Sequence, residues 1–211
     1  MPSDPLVLGF DTSAAHCAVA LVCGDLILRE TVEDMARGQA ERLMPLITEV
    51  LASASREWQD LAAIGVGTGP GNFTGIRLSV SAARGLALAL GIPAIGVPVF
   101  EALAEGVERP IVASIDARRD ELFLCRLNEP QPATMALVAK SGVSQPDFAG
   151  PSMYVGFECD DLAARYGGIA AASPFGVASA IARIAARRLG TPQPRPAPVY
   201  IRAPHAMPSR T

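Results

Sequence analysis

The stretch GTGPGNFTGIRLSVSAARGLALALG, from Gly67 to Gly91, constrains the fold more than any other part of the chain. A short apolar run, AIGVG at Ala63–Gly67, leads into Gly69-Pro70-Gly71, and a long helix rich in small apolar residues follows. AIGV at Ala94–Val97 then reads as a second buried strand, and strand–helix–strand alternation argues for parallel pairing with helices packed on the sheet. The glycines reach backbone angles closed to other residues, and Asn72 or Thr74 can cap the helix behind them. Free N–H groups at such a helix start favour an anion. The turn is no P-loop, because no Gly-Lys-Ser/Thr follows. It fails the dinucleotide pattern as well: counting from Gly69 and Gly71, the third glycine position holds Thr74. Spacing alone supports a phosphate cradle and a ligand-free turn equally.

The segments around this unit fall into two similar copies. In the first, LVLGFD (Leu6 to Asp11), CAVALV (Cys17 to Val22) and LILRE form a three-strand meander. A helix from about Gln39 to Ala54 follows, with Leu43, Leu46, Ile47, Val50, Leu51 and Ala54 on one face and Pro45 placed near its start. In the second copy IVASID and ELFLCRL repeat the hairpin, with Asp116 placed as Asp11 is in the first. MYVGF, CDDLAARYG and GIAAAS read as strand, helix and strand, and a helix from Val177 to Leu189 closes the pattern. The expected division is a first lobe over 1–107, a reduced second lobe over 108–190 and a proline-rich tail over 191–211, extended or partly disordered. The proline-rich segment from Glu129 to Pro151 carries no assignment.

Composition excludes several functions. Half of the 211 residues are hydrophobic, enough for a substantial core. The longest uncharged apolar stretch, between Arg84 and Glu101, is short of the roughly 20 residues of a membrane span and is broken by Pro93 and Pro98. MPSDPLVLGFDTS lacks a basic region before its apolar run, so no secretory signal is read there, and a cytoplasmic protein without membrane contact is expected. A net charge of −3 argues against gripping a nucleic acid alone. Four cysteines form no Cys-x-x-Cys pair. His16 and His205 stand far apart in sequence without suggestive neighbours, so neither a paired-histidine metal site nor a serine–histidine–acid triad is expected.

Two further turns bear on chemistry. GFDTS places Asp11 and Thr12 at a strand–strand turn, where an aspartate can position a metal-bound phosphate; both residues are also ordinary turn formers. DARRDE puts Arg118 and Arg119 at the equivalent turn, where an approaching phosphate usually needs glycine. A solvated charged turn is the commoner outcome there. Gly167-Gly168 precedes an apparent strand, not the helix that an adenosine-binding double glycine would lead into.

Taken together, LGFDTSAAHCAVALV, ARGQAERLMPLI, the block from Ala63 to Ala104, IDARRDELF and PVYIR closely resemble the bacterial TsaB (YeaZ) family, in order along nearly the whole chain. The resemblance implies the duplicated actin-like ATPase fold (ASKHA, ribonuclease H-like), an α/β fold of two lobes, each a mixed sheet flanked by helices. It also implies a role in forming N6-threonylcarbamoyladenosine in tRNAs that read codons beginning with A. The implied partners are TsaD, the metal-dependent transferase, in a heterodimer, and the ATPase TsaE in an ATP-dependent ternary complex. Transfer RNA is met only through that complex, and a homodimer of the isolated chain is plausible. Catalytic TsaD-type relatives carry a His-x-x-x-His metal motif just after the strand matching Ala94–Val97, and Val99 and Leu103 occupy those positions here. The resemblance thus implies a non-catalytic subunit with no catalytic residue, no metal and no tightly bound cofactor, ATP or ADP and the metal belonging to its partners. Degenerate family turns are expected at Asp11, Thr12, Gly69, Gly71, Thr74, Asp116 and Arg118. A partner surface is expected at Leu43, Leu46, Arg77, Ser81 and Arg84, with Leu43→Asp or Ser81→Trp abolishing pairing without unfolding the chain. The alternatives are a small ATP-dependent phosphotransferase of the same fold using Asp11 and, more weakly, a metalloprotease.

Overall fold

In the computed structural model of the chain, residues 4–128, 133–140, 148, 150 and 152–201 are described. Strands β1 (Leu6–Asp11), β2 (His16–Cys23) and β3 (Leu26–Asp34) form the expected meander. Helix α1 (Gln39–Ser53) leads to β4 (Ala63–Gly67), which pairs parallel with β1, and helix α2 (Phe73–Leu90) leads to β5 (Ala94–Val97), parallel to β4. A short helix α3 (Val99–Ala104) closes the first copy. The second copy runs β6 (Ile111–Arg118), β7 (Glu121–Leu127), β8 (Thr134–Ala139), β9 (Met153–Gly156), α4 (Cys159–Tyr166), β10 (Ile169–Ala170) and α5 (Val177–Arg188). Sheet one is ordered β3-β2-β1-β4-β5 and sheet two β8-β7-β6-β9-β10, with the same parallel and antiparallel pairings at each step.

One face of sheet one is covered by α1 and α2. Leu43, Leu46, Ile47, Val50 and Leu51 of α1 and Ile76, Val80 and Ala83 of α2 pack on Leu8, Phe10, Val19 and Ile64. Asn72 ends the preceding turn by accepting hydrogen bonds on its side-chain oxygen from the N–H groups of Thr74 (3.0 Å) and Gly75 (3.1 Å). Gly91, with φ +68°, closes the other end. Pro45 sits inside α1, not near its start. The carbonyl it leaves without a helical donor belongs to the exposed Glu41, where water can satisfy it.

The opposite face of sheet one is covered by α5, which comes from the second copy. Its alanines Ala178, Ala182 and Ala185 lie flat on β1 and β4. A Cβ on Gly9 would stand 2.3 Å from the Ala178 carbonyl oxygen, and one on Gly65 would stand 2.9 Å from the Ala185 Cβ. Small residues on both sides therefore let helix and sheet backbones approach closely. The carboxylate of Glu30 on β3 accepts from the Ser179 N–H (3.1 Å) and Oγ–H (3.0 Å), placing a negative charge on the first turn of α5.

The exchange is mutual. Phe100 and Ala104 of α3, from the first copy, pack on Ile111, Ala113 and Val155 of sheet two, and Ala102 meets Ala180, Ile181 and Ile184 of α5. Bidentate pairing of Arg187 with Glu105 (2.7 and 2.6 Å), just past the end of α3, and a single bond from Arg188 Nη2–H to Glu101 tie the two helices together. The far face of sheet two carries α4 through Leu162 and Ala163. Helix Val177–Leu189 thus falls where the sequence reading puts it along the chain, yet its packing belongs to the other lobe. β8 lies inside the proline-rich stretch that carried no assignment, most of whose remaining residues fall outside the described ones.

Candidate functional site

A cleft of about 850 Å³ opens between the lobes. Its walls come from the first hairpin turn, the glycine turn, α3, the second hairpin turn and the tail. The two hairpin turns are built alike. Asp11 accepts from the N–H of Ser13 at 3.0 Å, and Asp116 accepts from the N–H of Arg118 at 3.0 Å, so each aspartate closes the turn two residues ahead of it.

Their surroundings differ. Asp11 is fully buried, and its Oδ2 also accepts from Ser13 Oγ–H (2.8 Å) and from His16 Nε2–H (2.8 Å). Its Oδ1 has no hydrogen-bond partner among the described residues and faces Gly67, whose Cβ would lie 1.9 Å away. His16, which sequence reading left without a neighbour of note, is therefore held by the carboxylate at the other end of its own turn. The trio forms no hydrolytic triad: Ser13 and His16 both donate to Asp11, and among the described residues no hydrogen bond joins the serine to the histidine that would have to deprotonate it.

The first turn closes directly onto the glycine turn. Thr12 Oγ1–H donates to the Gly75 carbonyl (2.7 Å), and the Asn72 N–H donates to the Ser13 carbonyl (2.6 Å). A Cβ on Gly75 would meet the Thr12 carbonyl oxygen at 1.9 Å, and one on Gly71 the Ser13 carbonyl oxygen at 2.3 Å. Gly69, with φ +89°, accepts from the Val99 N–H at 2.8 Å. The space an anion would need is filled by backbone, and the N–H groups of Thr74 and Gly75 are bonded to Asn72. Thr74 is an exposed first-turn residue and does not reach the cleft.

At the second turn Arg118, Arg119 and Asp120 all have positive φ (63°, 55° and 56°). A two-residue hairpin turn requires this at its central residues, and without glycine it costs roughly 1–2 kcal/mol per residue. Arg118 Nη1 lies 3.5 Å from Asp116 Oδ2, while Arg119 has no ion-pair or hydrogen-bond partner among the described residues.

Val99 and Leu103 project from α3 into the cleft wall and bring no lone pairs. No group of three His, Cys, Asp or Glu side chains suited to a metal ion occurs among the described residues. The donor set therefore does not fit a metal. Phe157 and Tyr200, which sequence reasoning did not single out, also line the cleft; Tyr200 lies in the PVYIR run quoted for the resemblance. The tail is extended there. Val199 N–H donates to the Thr68 carbonyl (2.8 Å), and Arg77 Nε–H donates to Tyr200 Oη (2.9 Å) with its guanidinium 3.7 Å above the Phe73 ring.

The five residues expected at a partner surface divide sharply. Leu43 and Leu46 are each 1 % exposed and belong to the core under α1, so neither offers a surface, and Leu43→Asp would bury a charge. Arg77, Ser81 and Arg84 lie on the solvent side of α2, where Leu88 stands 86 % exposed. α2 is long and apolar enough to cross a membrane by length and composition, at mean hydropathy 1.2, and a third of it is buried against its own sheet. On α1 the outward residues include Met44, Thr48 and Glu49.

Two sheets of identical strand order, joined by exchanged helices around a central cleft, define the duplicated actin-like, ribonuclease H-like class. The family model for TsaD, tRNA N6-adenosine threonylcarbamoyltransferase, matches residues 31–147. The TsaB proteins of Escherichia coli (strain K12) and Bacillus subtilis (strain 168), called tRNA threonylcarbamoyladenosine biosynthesis proteins, are 34% and 33% identical over 122 and 123 residues, in each case 56% of this chain. The chain spans about half the length of these curated relatives, 52% of each. The solved structure of YeaZ from Pseudomonas aeruginosa matches with a TM-score of 0.73 at 27% identity, over 93% of this chain and 99% of that one. The chain belongs to this family and, within it, to the TsaB (YeaZ) group.

Proposed function

We propose that this chain is a non-catalytic subunit in the N6-threonylcarbamoyladenosine modification of tRNAs that read codons beginning with A, paired with a TsaD-type transferase in the cytoplasm. The observation that carries the reading is the pair Val99 and Leu103, apolar side chains on the cleft wall where the resemblance puts the metal-binding histidines of catalytic relatives. The chain's own part is to present a surface. The outward face of α2, with Arg77, Ser81, Arg84 and Leu88, supports pairing with a homologous helix face, because the small exposed Ser81, Gly85 and Ala89 let two backbones approach beside the apolar Leu88. TsaE joins the pair with ATP, tRNA is met through the assembly, and in the absence of TsaD the same face permits a homodimer. Any nucleotide and the metal reside in the partners.

The phosphotransferase reading is disfavoured by Asp11, whose Oδ2 is saturated and whose Oδ1 faces Gly67. The deciding experiment is a reconstituted modification assay with TsaD, TsaE, a source of threonylcarbamoyl-adenylate, ATP and unmodified tRNA, with and without this chain. Modification that depends on the chain, with co-elution alongside TsaD, is the expected result. Failure both to pair and to stimulate would sink the proposal.

A further inference from the structure

We propose that the cleft between the lobes binds a small organic monoanion, its carboxylate or like group held at Arg119 and its apolar chain or ring lodged among Leu103, Phe123 and Phe157. At about 850 Å³ the cleft has the size of a small-molecule site rather than of a packing defect. Much of its wall is apolar, and its serine hydroxyls are spent within the chain: Ser114 Oγ–H on the carbonyls of Val155 (3.2 Å) and Phe157, Ser13 Oγ–H on Asp11 Oδ2 (2.8 Å). Water in contact with that wall gains few hydrogen bonds, and an apolar group that displaces it is favoured.

Charge at the rim selects the other end of the ligand. Arg118 and Arg119 against Asp116 leave the lining one net positive charge with His16 neutral. Arg118 lies beside Asp116, whereas Arg119 has no partner among the described residues and presents a guanidinium suited to planar, bidentate recognition. A single positive charge matches a monoanion and is poorly matched to a nucleoside triphosphate. The glycine turn reinforces this choice, since Asn72 already occupies the N–H groups that would hold phosphates. This site is independent of the pairing reading and is tested on the full chain alone.

The test is calorimetric titration with decanoate and with decanol, which share an apolar tail and differ in charge. Decanoate should bind about tenfold more tightly than decanol, the effect of one charge-assisted hydrogen-bond pair. Arg119→Gln should bring decanoate down to decanol while leaving decanol binding and the melting temperature unchanged. Leu103→Trp should abolish both, and a photoreactive decanoate should label Leu103, Phe123 or Phe157 in the unaltered chain, a readout that holds even if the tryptophan variant misfolds. Equal binding of acid and alcohol, labelling elsewhere, displacement of decanoate by MgATP, or no binding up to millimolar concentration would each overturn the proposal.

Discussion

Replacing one hydrogen of Gly75 by a methyl group would put a carbon 1.9 Å from the Thr12 carbonyl oxygen, an overlap with backbone that no rotamer change relieves. Ten residues along the same helix, a Cβ on Gly85 would meet nothing within 4 Å. Gly75→Ala should therefore cost more than about 3 kcal/mol in urea denaturation, as overpacking against rigid backbone does. Gly85→Ala should stabilise the isolated chain by about 0.5–1 kcal/mol through helix propensity. Equal effects would show that the first hairpin turn does not close on the glycine turn as described. Cysteine makes a second residue-scale case. Burial pushes the Cys17 thiol up to about 11 and the Cys125 thiol up to about 12, from 9.0, with Glu33 and Glu101 adding to the respective shifts. The folded state thus holds both thiols neutral at a pH where the unfolded chain ionises them. Their contribution to stability is complete below pH 9 and is lost as pH rises through 11 to 12. The denaturation midpoint should fall across that window, and the double variant Cys17→Ala, Cys125→Ala should lose part of the slope.

Among the elements, those with a long periodic pattern were legible in the sequence and those set by tertiary contact were not. The apolar spacing of α1 gave that helix to within a residue, and α2 follows the glycine turn as read, with Asn72 as the cap of the two residues offered. α3 escaped notice because six residues after Pro98 show barely a turn and a half of periodicity. β8 is hidden by the prolines around it. Which way α1 faces was also illegible from Leu43 alone, since a leucine that packs on a sheet and one that packs on a partner have the same spacing. The structure separates them by a direct comparison. Leu88→Asp should leave the thermal melt of the chain unchanged and abolish co-elution with TsaD, whereas Leu43→Asp should prevent folding, at a cost of several kcal/mol for a buried charge. A stable Leu43→Asp chain that still pairs would show that α1 does not pack on sheet one through that residue.

For the molecule as a whole, the duplication was visible in the order of strands and helices, but the traffic between the copies was not. Periodicity reports that a helix has an apolar face; it does not report whose sheet that face meets. The clue lay in composition, with alanines along α5 and glycines at positions 9 and 65 on the strands beneath. Because each sheet takes one covering helix from the other copy, the two halves cannot denature separately. Calorimetry should show one transition whose van't Hoff and calorimetric enthalpies agree; two resolved transitions would contradict the exchange. The same exchange decides what would happen if the chain were severed after residue 107. Each fragment would carry away a helix that the other needs and expose the bare sheet face it leaves behind, so either one made alone should aggregate. Made together, the fragments should find each other and rebuild the protein without a covalent link, since what holds the halves is a clasp in which each one closes the other.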